Sequence, residues 1–298
     1  MPEGMTAPRQ VLKGSTYLVT RRCLQRQFLL KPSAITNAIF KYVLAVAAVR
    51  YHIQVHAYCV LSNHFHLVVT DPDARLPAFM QMLCALVARA MNASWGRWET
   101  FWAPSSYSAV RLVGPEAILE KAAYTLANPV AAHLVRHGRE WPGLWSDPKE
   151  VGAGGEAVKR PEKFFDSEGL MPESETLELV VPKGFGSAGE FRRKLQGRLE
   201  ELEQQAARDG RGFLGVRRVL AQWHTDRPGG REPRRNLKPR VAAVDKWKRV
   251  EADARVKAFE QAYREARERL WRGERNVVFP RGTYLLRITL RVRCAAAG

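Results

Sequence analysis

Apolar and polar positions along the first half of the chain fall into short runs that switch between a strand period and a helix period. Thr16 to Thr20 (T-Y-L-V-T) is β-branched and aromatic and predicts a first strand, followed by the basic R-R-C-L-Q-R. Pro32 to Arg50 is apolar, with good helix formers behind a Pro-Ser start, and predicts a helix. Ile53 to Leu61 and His64 to Thr70 predict two strands joined by Ser62-Asn63, with the Asn suited to the positive φ of a tight hairpin turn. Leu76 to Ser94, rich in Leu, Met and Ala, predicts a second helix, and Tyr107 to Leu112 a further strand. Pro115 to Leu126 predicts a third helix, with a proline at its start and N-P at its end. The order β-α-β-β-α-β-α is that of the ferredoxin-like split βαβ, an α+β fold in which helices cover one face of an antiparallel sheet.

After Trp145 the pattern loosens. Ser146 to Glu190 is rich in Gly, Pro and acidic residues and predicts an irregular connector, with Phe164, Phe165, Leu179, Val180 and Val181 as the positions able to pin it to a core. Helical patterns return from Ala188 to Ala207 and from Ala242 to Trp271, separated by R-P-G-G-R-E-P-R-R-N-L-K-P-R. Three parts are expected: a folded domain over 1–145, the connector over 146–190 and a basic, mainly helical extension over 191–298.

Composition is that of a soluble globular chain: 46% apolar and 26% charged over 298 residues, enough for one large or two ordinary domains. The apolar run Tyr42 to Val49 is far below the ~20 residues of a bilayer span, and the first ten residues lack a basic-then-apolar leader. A cytoplasmic location without a membrane partner is therefore expected. The four cysteines (Cys23, Cys59, Cys84, Cys294) have no C-x-x-C spacing, which argues against a zinc ribbon or a redox pair. Absence of a G-x-x-x-x-G-K-[ST] loop argues against a nucleotide cofactor.

Charge changes the picture. The net +18 is unevenly spread: residues 1–150 carry 16 basic against 9 acidic side chains, 151–184 carry 4 against 7, and 185–298 carry 28 against 14. Such an excess is the footprint of a nucleic-acid binder, because neutralising phosphates releases condensed counterions. Arg21, Arg22 and Arg26 after the first strand, the pair Arg217-Arg218, and Arg234, Arg235, Lys238 and Arg240 in the basic cluster are the candidate phosphate contacts. The extension is expected to add affinity for DNA without performing chemistry.

Two short motifs carry the candidate chemistry. In L-S-N-H-F-H-L (Leu61–Leu67), strand period places His64 and His66 on one face and Phe65 and Leu67 on the other, so two imidazoles stand where they can grip one metal ion. In K-A-A-Y-T-L-A-N-P-V (Lys121–Val130), Tyr124 and Asn128 are four residues apart and share a helix face, a phenol one turn from a carboxamide. His52 and His56 would share a strand face but stand about 13 Å apart at ~3.3 Å per residue, too far to share an ion.

Together, L-S-N-H-F-H-L followed by Y-x-x-x-N-P-V-x-A-x-L-V resembles the single-tyrosine HUH transposases, and within them the REP-associated tyrosine transposases. The resemblance covers roughly Ser15 to Trp145. It departs from the family at Leu18, which follows Tyr17 where a histidine is often found. It implies an HUH endonuclease core, with His64, His66 and Asn128 as metal ligands and Tyr124 as the nucleophile. It further implies cleavage and rejoining of single-stranded or hairpin DNA through a 5′-phosphotyrosine, with Mg²⁺ or Mn²⁺ as cofactor. Imidazole ligands are softer than Mg²⁺ prefers, so Mn²⁺ is expected to serve at least as well. Two other readings stay open: a domesticated DNA-binding protein without transposition activity, against which the intact residue set counts, and a phosphodiesterase using water with Tyr124 structural. Neither monomer nor dimer is favoured.

Overall fold

The structure is a computed structural model and describes residues 8–104, 107–229 and 239–296. The first half contains β1 (Ser15–Arg22), α1 (Ala34–Tyr51), β2 (Gln54–Leu61), β3 (His64–Asp71), α2 (Leu76–Ser94), β4 (Ser108–Leu112) and α3 (Pro115–Ala131). The second half contains β5 (Gly155–Lys159), β6 (Ser174–Glu178), α4 (Ala188–Arg208), α5 (Val216–Ala221), β7 (Val241–Ala242), α6 (Lys246–Trp271), β8 (Val278–Phe279), α7 (Leu285–Thr289) and β9 (Arg293–Cys294).

The main sheet runs β2-β3-β1-β4-β7. Its first four strands are antiparallel throughout, with β3 between β1 and β2 and β1 between β3 and β4, which is the split βαβ arrangement that the element order predicts. The two-residue strand β7 joins in parallel at the β4 edge, so the extension contributes to the sheet.

Strand alternation decides what each face meets. Phe65 points toward α1, where its ring lies edge-on to Phe40 at 5.1 Å between centroids. Its neighbour His66 points the opposite way, to within 3.2 Å of the Asn128 amide on α3. Helices therefore cover both faces of the sheet, whereas the element order alone suggested one. Behind α3 lies α4, whose Phe191, Leu195 and Leu199 are buried in the same core.

Other local expectations shift for identifiable reasons. Ser33 caps α1 by accepting from the Thr36 amide at 3.0 Å, and His52 closes that helix in the left-handed conformation (φ 55°). His52 thus ends a helix and does not share a strand face with His56. Helix α3 runs through Asn128-Pro129 to Ala131, two residues beyond the dipeptide expected to end it. The hydroxyl of Thr125, four residues before Pro129, donates to the Lys121 carbonyl at 2.8 Å.

The stretch expected to be an irregular connector holds the β5–β6 hairpin, packed on α1. Tyr42 Oη donates to the Pro172 carbonyl at 2.5 Å, and its ring meets Phe165 edge-on at 5.1 Å. Helix α1 needs this cover because it is apolar on nearly every side: Ile39, Phe40, Tyr42, Val43, Leu44, Ala45 and Val46 are all buried. At 18 and 19 residues, α1 and α2 are long and apolar enough to cross a bilayer, but here the sheet and the connector take up their apolar surface.

Candidate functional site

The β2–β3 hairpin positions the two histidines. Leu61 pairs with His64, leaving Ser62 and Asn63 as the turn, and neither adopts a positive φ. Asn63 serves through its side chain instead. Its Nδ2 donates to the Arg26 carbonyl at 3.2 Å, and its Oδ1 accepts from His64 Nδ1 at 2.6 Å. Across the sheet Thr20 pairs with His66, and its hydroxyl meets His66 Nδ1 at 2.8 Å. Asn63 Oδ1 can only accept, so the His64 proton sits on Nδ1; at His66 the Asn128 NH2 can only donate to Nε2, so there too the proton sits on Nδ1 and the Thr20 hydroxyl accepts it.

The two rings stand edge to face with centroids 4.9 Å apart. His66 is buried (5% exposed), and burial first, then the charges of His64 and Arg22, holds its pKa well below the ordinary imidazole range. It is therefore neutral at pH 7, the protonation state that binds a metal. From α3, Asn128 (9% exposed) brings its amide to 3.2 Å from His66 Nε2. One turn earlier, Tyr124 lays its ring edge-on to His66 at 5.5 Å while remaining 41% exposed. The Lys121 ammonium lies 5.3 Å from the centre of the Tyr124 ring.

Helix and strand periods thus place His64 with His66 and Tyr124 with Asn128, and the packing of α3 on the sheet brings the two pairs together. Three further residues belong to the arrangement and were missed: Thr20, Asn63 and Lys121. Asn63 and Lys121 lie inside the two quoted motifs, Asn63 beside His64 and Lys121 three positions before Tyr124, whereas Thr20 lies in neither. Among the described residues no group of three or more His, Cys, Asp or Glu is placed to hold a metal, so a metal held here needs the Asn128 amide beside the two imidazoles. As placed, Asn128 turns its NH2 to His66 Nε2, so a metal would displace that hydrogen bond and take the amide through Oδ1; two imidazole nitrogens and that oxygen would suit a divalent ion with positions to spare for solvent or phosphate oxygens.

The predicted phosphate contacts divide. Arg21 and Arg22 pair with Phe65 and His64 at the histidine end of β1, and Arg26 follows in a tight loop. In that loop Gln25 and Arg26 both have positive φ (49° and 63°), strain that the Asn63 bond to the Arg26 carbonyl helps to hold. Arg217 and Arg218 are exposed on α5, which is anchored near the end of α3 by Leu214 N to His133 O and Gly215 N to Leu134 O, each 2.9 Å. Arg240 is at the other end of the sheet, where its backbone meets Arg111 and its guanidinium lies 3.6 Å from Glu260. Arg234, Arg235 and Lys238 lie outside the described residues. A cleft of about 300 Å³ between α6 and the start of β1 is at that far end too and is lined by Ser15, Arg111, Lys248 and Arg255.

No protein-family model matches the chain, and no match is found among curated proteins. Among solved structures it is similar to a REP-associated tyrosine transposase bound to a REP hairpin, at 18% identity and a TM-score of 0.39, over 48% of this chain and 81% of that one. It is also similar to a transposase, described as putative, from Deinococcus radiodurans R1, at 19% identity and a TM-score of 0.29, over 38% of this chain and 88% of that one.

Proposed function

We propose that this protein is a metal-dependent transposase of single-stranded DNA, which cleaves and rejoins hairpin-bearing strands through a 5′-phosphotyrosine intermediate. The observation that carries this reading is the meeting of an exposed phenol with two imidazoles, each held through Nδ1, and a carboxamide, at the end of the sheet where Arg21 and Arg22 lie on β1.

His64, His66 and Asn128 would hold Mg²⁺ or Mn²⁺, which when bound supplies Lewis-acid polarisation of a phosphate oxygen. Thr20 and Asn63 occupy Nδ1 of the two rings, so Nε2 would be the nitrogen that each offers to the ion. Tyr124 attacks phosphorus, its phenolic proton passes to solvent, and the bond to the 3′ oxygen breaks, leaving a 3′-OH on one fragment and the 5′ phosphate on the tyrosine. Lys121 puts a positive charge beside the phenol where the scissile phosphate enters. Because the phosphodiester is conserved as an ester, a second 3′-OH can reverse the step without a nucleotide cofactor.

The test is strand cleavage of hairpin oligonucleotides taken from the DNA that flanks the gene. Nicking is expected with Mn²⁺ and with Mg²⁺, and it is lost in excess EDTA and in His66→Ala. Undiminished nicking in EDTA would overturn the metal role.

A further inference from the structure

Part of the extension returns to the catalytic end of the sheet. The Phe28 amide donates to the Asp226 carbonyl at 2.8 Å. His224 stacks flat on Trp95, with centroids 4.3 Å apart and planes within 11°. Trp95 is itself fixed by donating Nε1–H to the Leu29 carbonyl at 3.1 Å. Trp98, three residues after Trp95, and Trp223, next to His224 in the chain, are 89% and 71% exposed. Among the described residues no aromatic is more exposed than Trp98.

Both indoles remain accessible to a partner from outside the chain. The surroundings say what kind of partner fits. Burial, then the positive charges of Arg97 and Lys31, holds His224 below the ordinary imidazole range, so the ring stacked on Trp95 is neutral at pH 7 and the local charge comes from those two cations. Two carboxylates are also present: Glu99, 3.5 Å from Arg97, and Asp226, whose Oδ2 accepts from the Trp223 amide at 2.8 Å and fixes that residue's backbone. Exposed indoles beside cations are what a single strand asks for, since each base offers a face to stack on and each nucleotide a phosphate.

The route from this patch to the metal ligands is short in contacts. Loop 24–31 carries Leu29, and its Leu30 amide donates to the Ser62 carbonyl at 2.8 Å. In the same loop the Arg26 carbonyl accepts from Asn63, whose other side-chain atom holds His64.

We propose that Trp98 and Trp223 form a stacking platform for unpaired bases of the DNA strand that enters the Tyr124 site. The platform rests on the catalytic reading above, and binding measured in EDTA separates the two. For the full chain, Trp98→Ala with Trp223→Ala is expected to lower the affinity for a labelled dT strand of about twenty nucleotides roughly 10- to 100-fold, read by fluorescence anisotropy. Trp98→Phe with Trp223→Phe restores most of it, and the salt slope stays unchanged in both because no phosphate contact is removed. Circular dichroism reports that both variants fold, as expected for exposed positions. The platform is overturned if the alanine variant binds dT as tightly as the wild type, or loses as much on an abasic strand of equal length or on a blunt duplex. A loss confined to an equivalent rU strand would overturn the assignment to DNA. If the wild type cleaves no strand but the alanine variant still loses dT binding, the catalytic reading fails and the platform stands.

Discussion

Thr20 and Asn63 are as much a part of the site as the histidines that they hold. Each supplies an oxygen to an imidazole Nδ1, and without it the ring is free to rotate or change tautomer. Thr20→Val keeps the shape and removes the acceptor, so Mn²⁺ affinity by calorimetry is expected to fall about 10- to 100-fold, as is typical when the partner of a ligand is lost. An unchanged affinity would mean that the hydroxyl does not orient His66. Another histidine serves stability alone. His56 sits in a β-bulge of β2, donates from Nδ1 to the Val180 carbonyl and accepts at Nε2 from Thr70, each at 2.7 Å. Burial lowers its pKa to about 4. The unfolded chain takes up this proton near pH ~6.5, so its contribution is complete above that pH and shrinks as pH falls toward about 4. Urea midpoints should decline across that window, and His56→Gln should flatten the decline; an equal slope in the variant would assign the effect elsewhere. The spacings H-x-H and Y-x-x-x-N were legible because backbone period alone fixes them. Thr20 was not, because its role depends on a cross-strand register, and Asn63 was expected to act through backbone φ when its side chain does the work.

At the level of elements, the alternation of strand and helix periods gave the sheet order, and Leu76–Ser94 forms a helix over its whole predicted span. The errors have one origin: tertiary demand outweighs local signals. Asn128-Pro129 reads as a helix stop, yet α3 continues through it with Val130 buried beyond the proline. The Gly- and Pro-rich connector reads as irregular, yet the outer side of α1 calls a hairpin onto it. Helix α4 was legible as a helix but not as part of the core, since its apolar residues are few and widely spaced. Phe191 shows what that packing contributes: it is fully buried, with its ring edge-on to Phe185 at 4.8 Å. Phe191→Ala is expected to destabilise the whole protein by about 3–5 kcal/mol in chemical denaturation, moving the unfolding of the α3 region with it. A loss below about 1 kcal/mol would mean that α4 is a detachable appendage.

Across the whole molecule, basic residues stand at both ends of the sheet, and connectivity brings part of the extension to the histidine end. The excess of basic residues predicted a nucleic-acid partner but not its path. Arg21, Arg22 and Arg26 reach the histidine end by belonging to β1 and its loop, Arg217 and Arg218 through the anchoring of α5 beside α3, and Arg240 is held at the opposite end. How the extension folds back could not be read from its sequence, because the contacts that guide it are single backbone bonds such as Phe28 to Asp226 and one ring stack, without a periodic pattern. The central claim is that Tyr124 becomes covalently joined to a DNA 5′ phosphate. The direct measurement is a denaturing gel of the full chain incubated with Mn²⁺ and a hairpin oligonucleotide labelled at its 3′ end, beside the same strand labelled at its 5′ end. The account predicts that the 3′ label migrates with the protein, that the 5′ label appears only in a shorter free strand, and that Tyr124→Phe gives neither product while still binding the hairpin. Cleavage without any protein-linked label, or a normal adduct in Tyr124→Phe, would contradict it.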